Sequence, residues 1–140
     1  MTTKPLVVYF SKGGKTKKVA LAIAQELQCG TVDTAESVPD LSDVDLLVVG
    51  SGTYGGKPDK KLQEFLDNLK PVKKGKSAIF TTSGGPTPKS IDAMKESLEA
   101  KGYEVVSTFD CRGQFLLSNR GHPDEADLKD AKVFANNIKK

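Results

Sequence analysis

Tyr9-Phe10-Ser11-Lys12-Gly13-Gly14-Lys15-Thr16-Lys17-Lys18-Val19-Ala20 carries an apolar strand straight into a glycine-containing loop and on into a helix. The strand that feeds it, Leu6-Val7-Val8-Tyr9-Phe10, is continuously apolar, the pattern of a parallel strand covered on both faces. Gly13 and Gly14 allow a sharp turn, and a helix beginning beyond them aims its unpaired N–H groups back into the loop. Ser11 and Thr16 add hydroxyl donors, so an anionic phosphate there would meet dipoles and hydrogen bonds with no need of a metal. Taken alone, the loop is also compatible with an ordinary strand-to-helix turn.

Two other phosphate chemistries are tested by the same residues. Gly14-Lys15-Thr16 ends like a Walker A loop, but that motif requires glycine where Tyr9 stands, and a bulky aromatic cannot replace it. The dinucleotide pattern G-x-G-x-x-G is absent, and only Asp33 comes near the position of a ribose-binding acid. A mononucleotide fits better than ATP or NAD.

The 140 residues suit one domain with a sizeable core. A hydrophobic content of 37% against 28% charged residues fits a soluble protein, and no apolar run reaches spanning length. The N-terminus lacks a signal-peptide pattern, and Cys29 and Cys111 form no CxxC pair. These features predict a cytoplasmic protein without a disulfide framework or zinc site, and without a membrane or nucleic-acid partner. A monomer is expected.

Along the chain, strands and helices alternate. Helices are predicted at 15–28 and 58–69, from Pro88 behind an N-cap at Thr87, and from near Pro123. Strands are predicted at 6–10, 30–33, 45–50, 76–82 and 103–109. Five strands alternating with four helices imply right-handed crossovers and a doubly wound parallel sheet, whose ligand lies beyond the carboxyl ends of the strands. Glycine and hydroxyl residues gather there: Ser11–Thr16, then Ser51-Gly52-Thr53-Tyr54-Gly55-Gly56, then Ser83-Gly84-Gly85-Pro86.

With these three loops in place, the whole chain resembles the flavodoxin family. The family's phosphate loop, Thr/Ser-x-Thr-Gly-x-Thr, is matched by Ser11, Gly14 and Thr16; Gly13 replaces a hydroxyl residue, and Lys15 takes a position often held by asparagine. The second loop, with Tyr54, looks like the family's flavin-stacking loop, and residues 82–86 align with its third. The resemblance implies a flavodoxin-like three-layer α/β sandwich over residues 1–140, with a five-stranded parallel sheet of order 2-1-3-4-5 and helices on both faces.

It also implies FMN as cofactor. Ser11, Lys12, Gly13, Gly14, Lys15 and Thr16 would anchor its phosphate. Tyr54 would stack on the ring. Ser51, Gly52, Thr53, Gly55, Gly56, Ser83, Gly84 and Gly85 would line the ring edge, with the peptide of Gly55 or Gly56 beside N5. The function implied is one-electron transfer; the alternatives are an NAD(P)H-dependent flavin or quinone reductase and an interaction module with weakened FMN binding. His122, the single histidine, reads as a helix-entry residue, and no serine–histidine–aspartate set is available. The first 25 residues hold Lys4, Lys12, Lys15, Lys17 and Lys18 and no acid. That departs from the acidic surface typical of the family, and it predicts an acidic redox partner such as a ferredoxin or a reductase.

Overall fold

The computed structural model describes residues 4–10, 15–34, 44–54, 57–58, 60–70, 75–83, 88–112 and 125–138. In chain order the elements are β1 (Pro5–Phe10), α1 (Lys15–Leu27), β2 (Thr31–Asp33), β3 (Leu46–Tyr54), β4 (Lys57–Pro58), α2 (Lys60–Asp67), β5 (Gly75–Ser83), α3 (Pro88–Ala100), β6 (Tyr103–Arg112) and α4 (Glu125–Ile138). The sheet runs β2-β1-β3-β5-β6, with every neighbouring pair on this path parallel. β4 pairs only with β3, antiparallel. Setting that short return strand aside leaves five parallel strands in the predicted order 2-1-3-4-5. Among the described residues no helix is long and apolar enough to cross a membrane.

Period-two alternation divides each central strand between two cores. Val7 and Tyr9, Leu46 and Val48, and Ala78 and Phe80 pack with α1 and α4, together with Val19, Ile23, Phe134 and Ile138. Val8, Leu47, Val49 and Ile79 face the other way and pack with Leu62 and Leu66 of α2 and with Met94 and Leu98 of α3. Burial on both faces is why these strands read as unbroken apolar runs. On the first face, Phe109 stacks on Phe134 at 5.4 Å between ring centroids, tying β6 to α4.

Backbone hydrogen bonds close the amino edge of the sheet. Asp45 N–H donates to the Lys4 carbonyl at 2.9 Å, and Lys4 N–H donates to Asp45 Oδ2 at 3.3 Å. Gly75 N–H donates to the Gly102 carbonyl at 3.2 Å. α1 ends in a Schellman turn, with Cys29 N–H donating to the Ala24 carbonyl and Gln28 N–H to that of Gln25. Gln28 therefore takes a φ of 57°, where glycine would be expected. The corresponding exit from α3 does use glycine, Gly102, at a φ of 95°.

Element boundaries depart from the sequence reading chiefly at the carboxyl edge. β3, β5 and β6 run on to Tyr54, Ser83 and Arg112, beyond their predicted ends. α2 starts at Lys60 instead of 58, because Lys57 and Pro58 pair with Tyr54 and Thr53. Pro88 opens α3 as predicted; its proposed cap Thr87 lies outside the described residues, as does Pro123, and α4 is seen from Glu125.

Candidate functional site

The two central strands β1 and β3 lie side by side, and the chain crosses the sheet in opposite directions on either side of them, through β2 from β1 and through β5 and β6 from β3. Between their carboxyl ends lies the switch in strand order, the position where open α/β sheets take their ligands. β1 stops at Phe10 and α1 starts at Lys15, so the helix N-terminus is presented at that switch. No acid occupies the first turn of α1. Its partial positive charge is therefore left for an anion.

Across this edge the core changes its chemistry at one level. Val49 and Ile79 are the last apolar residues of their strands on the α2/α3 face, and two residues on come Ser51 and Thr81, paired in register and each 0% exposed. Thr16, in the first turn of α1, is 3% exposed. Hydroxyls at full burial require partners, and Thr16, Ser51 and Thr81 each make at least one such interaction. On the opposite face Gly50 sits under Phe80: a Cβ on Gly50 would lie 1.9 Å from the ring's Cζ. No side chain fits there unless the ring moves.

The second predicted loop is largely a hairpin. Ser51, Gly52, Thr53 and Tyr54 continue β3, and Tyr54 pairs with Lys57 across Gly55 and Gly56, which lie outside the described residues. In the third, Ser83 closes β5 in register with Arg112, while Gly84 and Gly85 lie outside. Ser11, Lys12, Gly13 and Gly14 also lie outside, whereas Lys15 and Thr16 open α1. The described members are thus brought to one edge of one sheet. Thr81 and Arg112 reach the same edge; sequence reasoning did not single out Thr81 because it stands inside a run that reads only as strand.

A concavity of about 450 Å³ lies between α2 and α3 and is bridged by a 2.9 Å hydrogen bond from Gln63 Nε2 to Ser97 Oγ. Asp67, Ala100 and Lys101 place it toward the ends of those helices, away from the switch. Among the described residues, no group of three or more histidine, cysteine, aspartate or glutamate side chains is placed to hold a metal.

The family model for the flavodoxin domain matches residues 6–119, a span that includes the phosphate-loop sequence, the hairpin and the ends of β5 and β6. The chain belongs to the flavodoxin family. It is 36% identical to an uncharacterised protein of Methanocaldococcus jannaschii over 98% of this chain and 99% of that one. Its fold is similar to that of oxidised flavodoxin 2 from Bacillus cereus, with a TM-score of 0.74 at 21% identity over 96% of each chain. It is also similar to a flavoprotein from Lactobacillus acidophilus solved in complex with FMN, with a TM-score of 0.62 at 22% identity over 78% of this chain and 93% of that one. Flavodoxin-family proteins typically bind FMN.

Proposed function

We propose that this chain is an FMN-binding one-electron carrier working as a single flavodoxin-like domain. The observation that carries the reading is the opening of α1 at the switch between β1 and β3, with no acid in its first turn and the Thr16 hydroxyl held inside. The donor set fits FMN: backbone N–H groups, hydroxyls and lysine amines suit a dianionic phosphate, and a glycine-flanked tyrosine suits a flat aromatic ring. When bound, FMN would supply reversible electron uptake and release.

The chain's own residues do the rest. Ser11, Lys12, Gly13, Gly14, Lys15 and Thr16 hold the phosphate. Tyr54 covers the ring. The backbone of residues 52–56 and 83–85 orients the ring edge, and Ser51 and Thr81 fix the strand ends from which those segments leave. The test is a titration of apoprotein with FMN, FAD and riboflavin. FMN is expected to bind tightest, and equal affinity for FMN and riboflavin would refute the phosphate site. Thr16→Val keeps the buried volume but removes a bond to a charged group, about 1.5–3 kcal/mol, and should weaken FMN roughly ten- to hundredfold while leaving riboflavin unchanged.

A further inference from the structure

Three of the four helices, α1, α2 and α3, carry lysine in their first turn at the carboxyl edge, whereas α4 opens with Glu125. α1 starts Lys15-Thr16-Lys17-Lys18, α2 starts Lys60-Lys61, and α3 starts Pro88-Lys89, with no acid in the first turn of any of them. A helix N-terminus carries partial positive charge, so acids are stabilising there and cations are not. Helix stability therefore does not account for these lysines. Lys17, Lys18, Lys60 and Lys61 are exposed. α1 and α2 cover opposite faces of the sheet, so the four amines flank the carboxyl ends of β1 and β3 from both sides. Arg112 ends β6 at the same edge.

We propose that this cationic rim is the docking surface for an acidic electron-transfer protein, one that presents carboxylates around its own redox centre. The proposal rests on the FMN-carrier reading for what passes between the two proteins. Charge complementarity chooses the occupant: positive helix ends and lysines add up to a field that draws a negative surface toward the cofactor edge and turns it the right way round. Lysine is a hydrated point charge on a flexible stem and lacks the bidentate fork of arginine, which suits brief, fast-exchanging contact. A nucleic acid would also be drawn by charge, and the experiment separates the two.

The probe is a fluorescently labelled acidic plant-type ferredoxin, added to the apoprotein and to the FMN-loaded protein at about 20 and 200 mM salt. Wild type should associate at least about tenfold faster at low salt. The variant Lys17→Gln/Lys18→Gln/Lys60→Gln/Lys61→Gln should associate about tenfold more slowly at low salt, with little salt response. Unchanged association in the variant, equal binding of a basic cytochrome, or tighter binding of a single-stranded oligonucleotide would overturn the proposal. The apoprotein arm reads docking without flavin, so failure to bind FMN and failure to dock are separate results.

Discussion

Replacing Gly50 with alanine tests whether the end of β3 is shaped by Phe80. The new Cβ would stand 1.9 Å from Cζ and 2.2 Å from each Cε of the ring. Carbon atoms rest near 3.5–4.0 Å, so the ring tip must withdraw by about 1.6 Å. Phe80 is completely buried among Val48, Ala78 and the α1/α4 core, and a close-packed interior has no space of that size to offer. Overpacking of this kind costs about 1–3 kcal/mol and occasionally more; with three ring atoms inside contact distance the upper end is expected, about 3 kcal/mol. Leucine at position 80 lacks Cζ and both Cε. On a Phe80→Leu background the same Gly50→Ala change should cost under about 1 kcal/mol, a coupling of about 2 kcal/mol. Urea denaturation of the four proteins at constant m measures each term, and about 3 kcal/mol should lower the midpoint by about 1–3 M. An equal cost on both backgrounds would refute the reasoning and would leave glycine at this position without an explanation in Phe80.

Gln28→Gly should stabilise the protein by up to about 1 kcal/mol, since the left-handed turn costs a side-chain-bearing residue about 1–2 kcal/mol and glycine gives back part of that as unfolded-state entropy; a lower urea midpoint would contradict it. Stability should also fall on the alkaline side. Burial raises the Cys29 thiol above its usual 9.0, against a smaller opposing effect of the Val7 backbone, and burial raises the Tyr103 phenol above 10.0. Both groups therefore favour the protonated fold: their contribution is complete below the unfolded values and is lost as pH rises through the folded ones. Urea midpoints measured from about pH 8 to 11 should decline, and Tyr103→Phe together with Cys29→Ala should flatten the decline.

The sheet was legible because β1, β3 and β5 are buried on both faces, and unbroken runs such as Leu46-Leu47-Val48-Val49 have few other homes. The helices were legible through spacing, as with Leu62, Leu66 and Leu69 on α2 and the turn beyond it. The hairpin was not, for a physical reason: Gly52, Thr53 and Tyr54 bear no apolar alternation, and the partner strand that Thr53 and Tyr54 pair with is only Lys57 and Pro58. Strand there is set by pairing with neighbours, Ser51 with Thr81 and Gly52 with Thr82, which no single segment announces. Thr81 escaped notice for the same reason. The glycine and hydroxyl residues of the candidate site were picked out by type and by position after a strand, and the described ones lie at the carboxyl edge of the sheet. Gly50 was read as the end of a strand and the start of the second loop; a steric reason for glycine there lies thirty residues away in Phe80, across the register Gly50↔Phe80.

The two edges of the sheet are built on opposite terms. At the amino edge the chain satisfies itself: Lys4 and Asp45 exchange hydrogen bonds, Gly75 is tied to Gly102, Val7 to Gly30, and α1 closes in a Schellman turn. Within the sheet Ser77 donates to the Leu47 carbonyl at 2.7 Å, fully buried, at the level where β5 and β6 shift register. At the carboxyl edge the same chain declines the stabilising choice repeatedly. Lysines stand where acids would favour α1, α2 and α3, and hydroxyls stand where valine or isoleucine would extend the core. Lysines at the helix starts and buried hydroxyls at the strand ends, gathered at one edge, are the pattern of function set against stability. The closed amino edge is what makes this possible: with the strands fixed in register there, the carboxyl ends can be given to the groups proposed to hold an anion and face a partner.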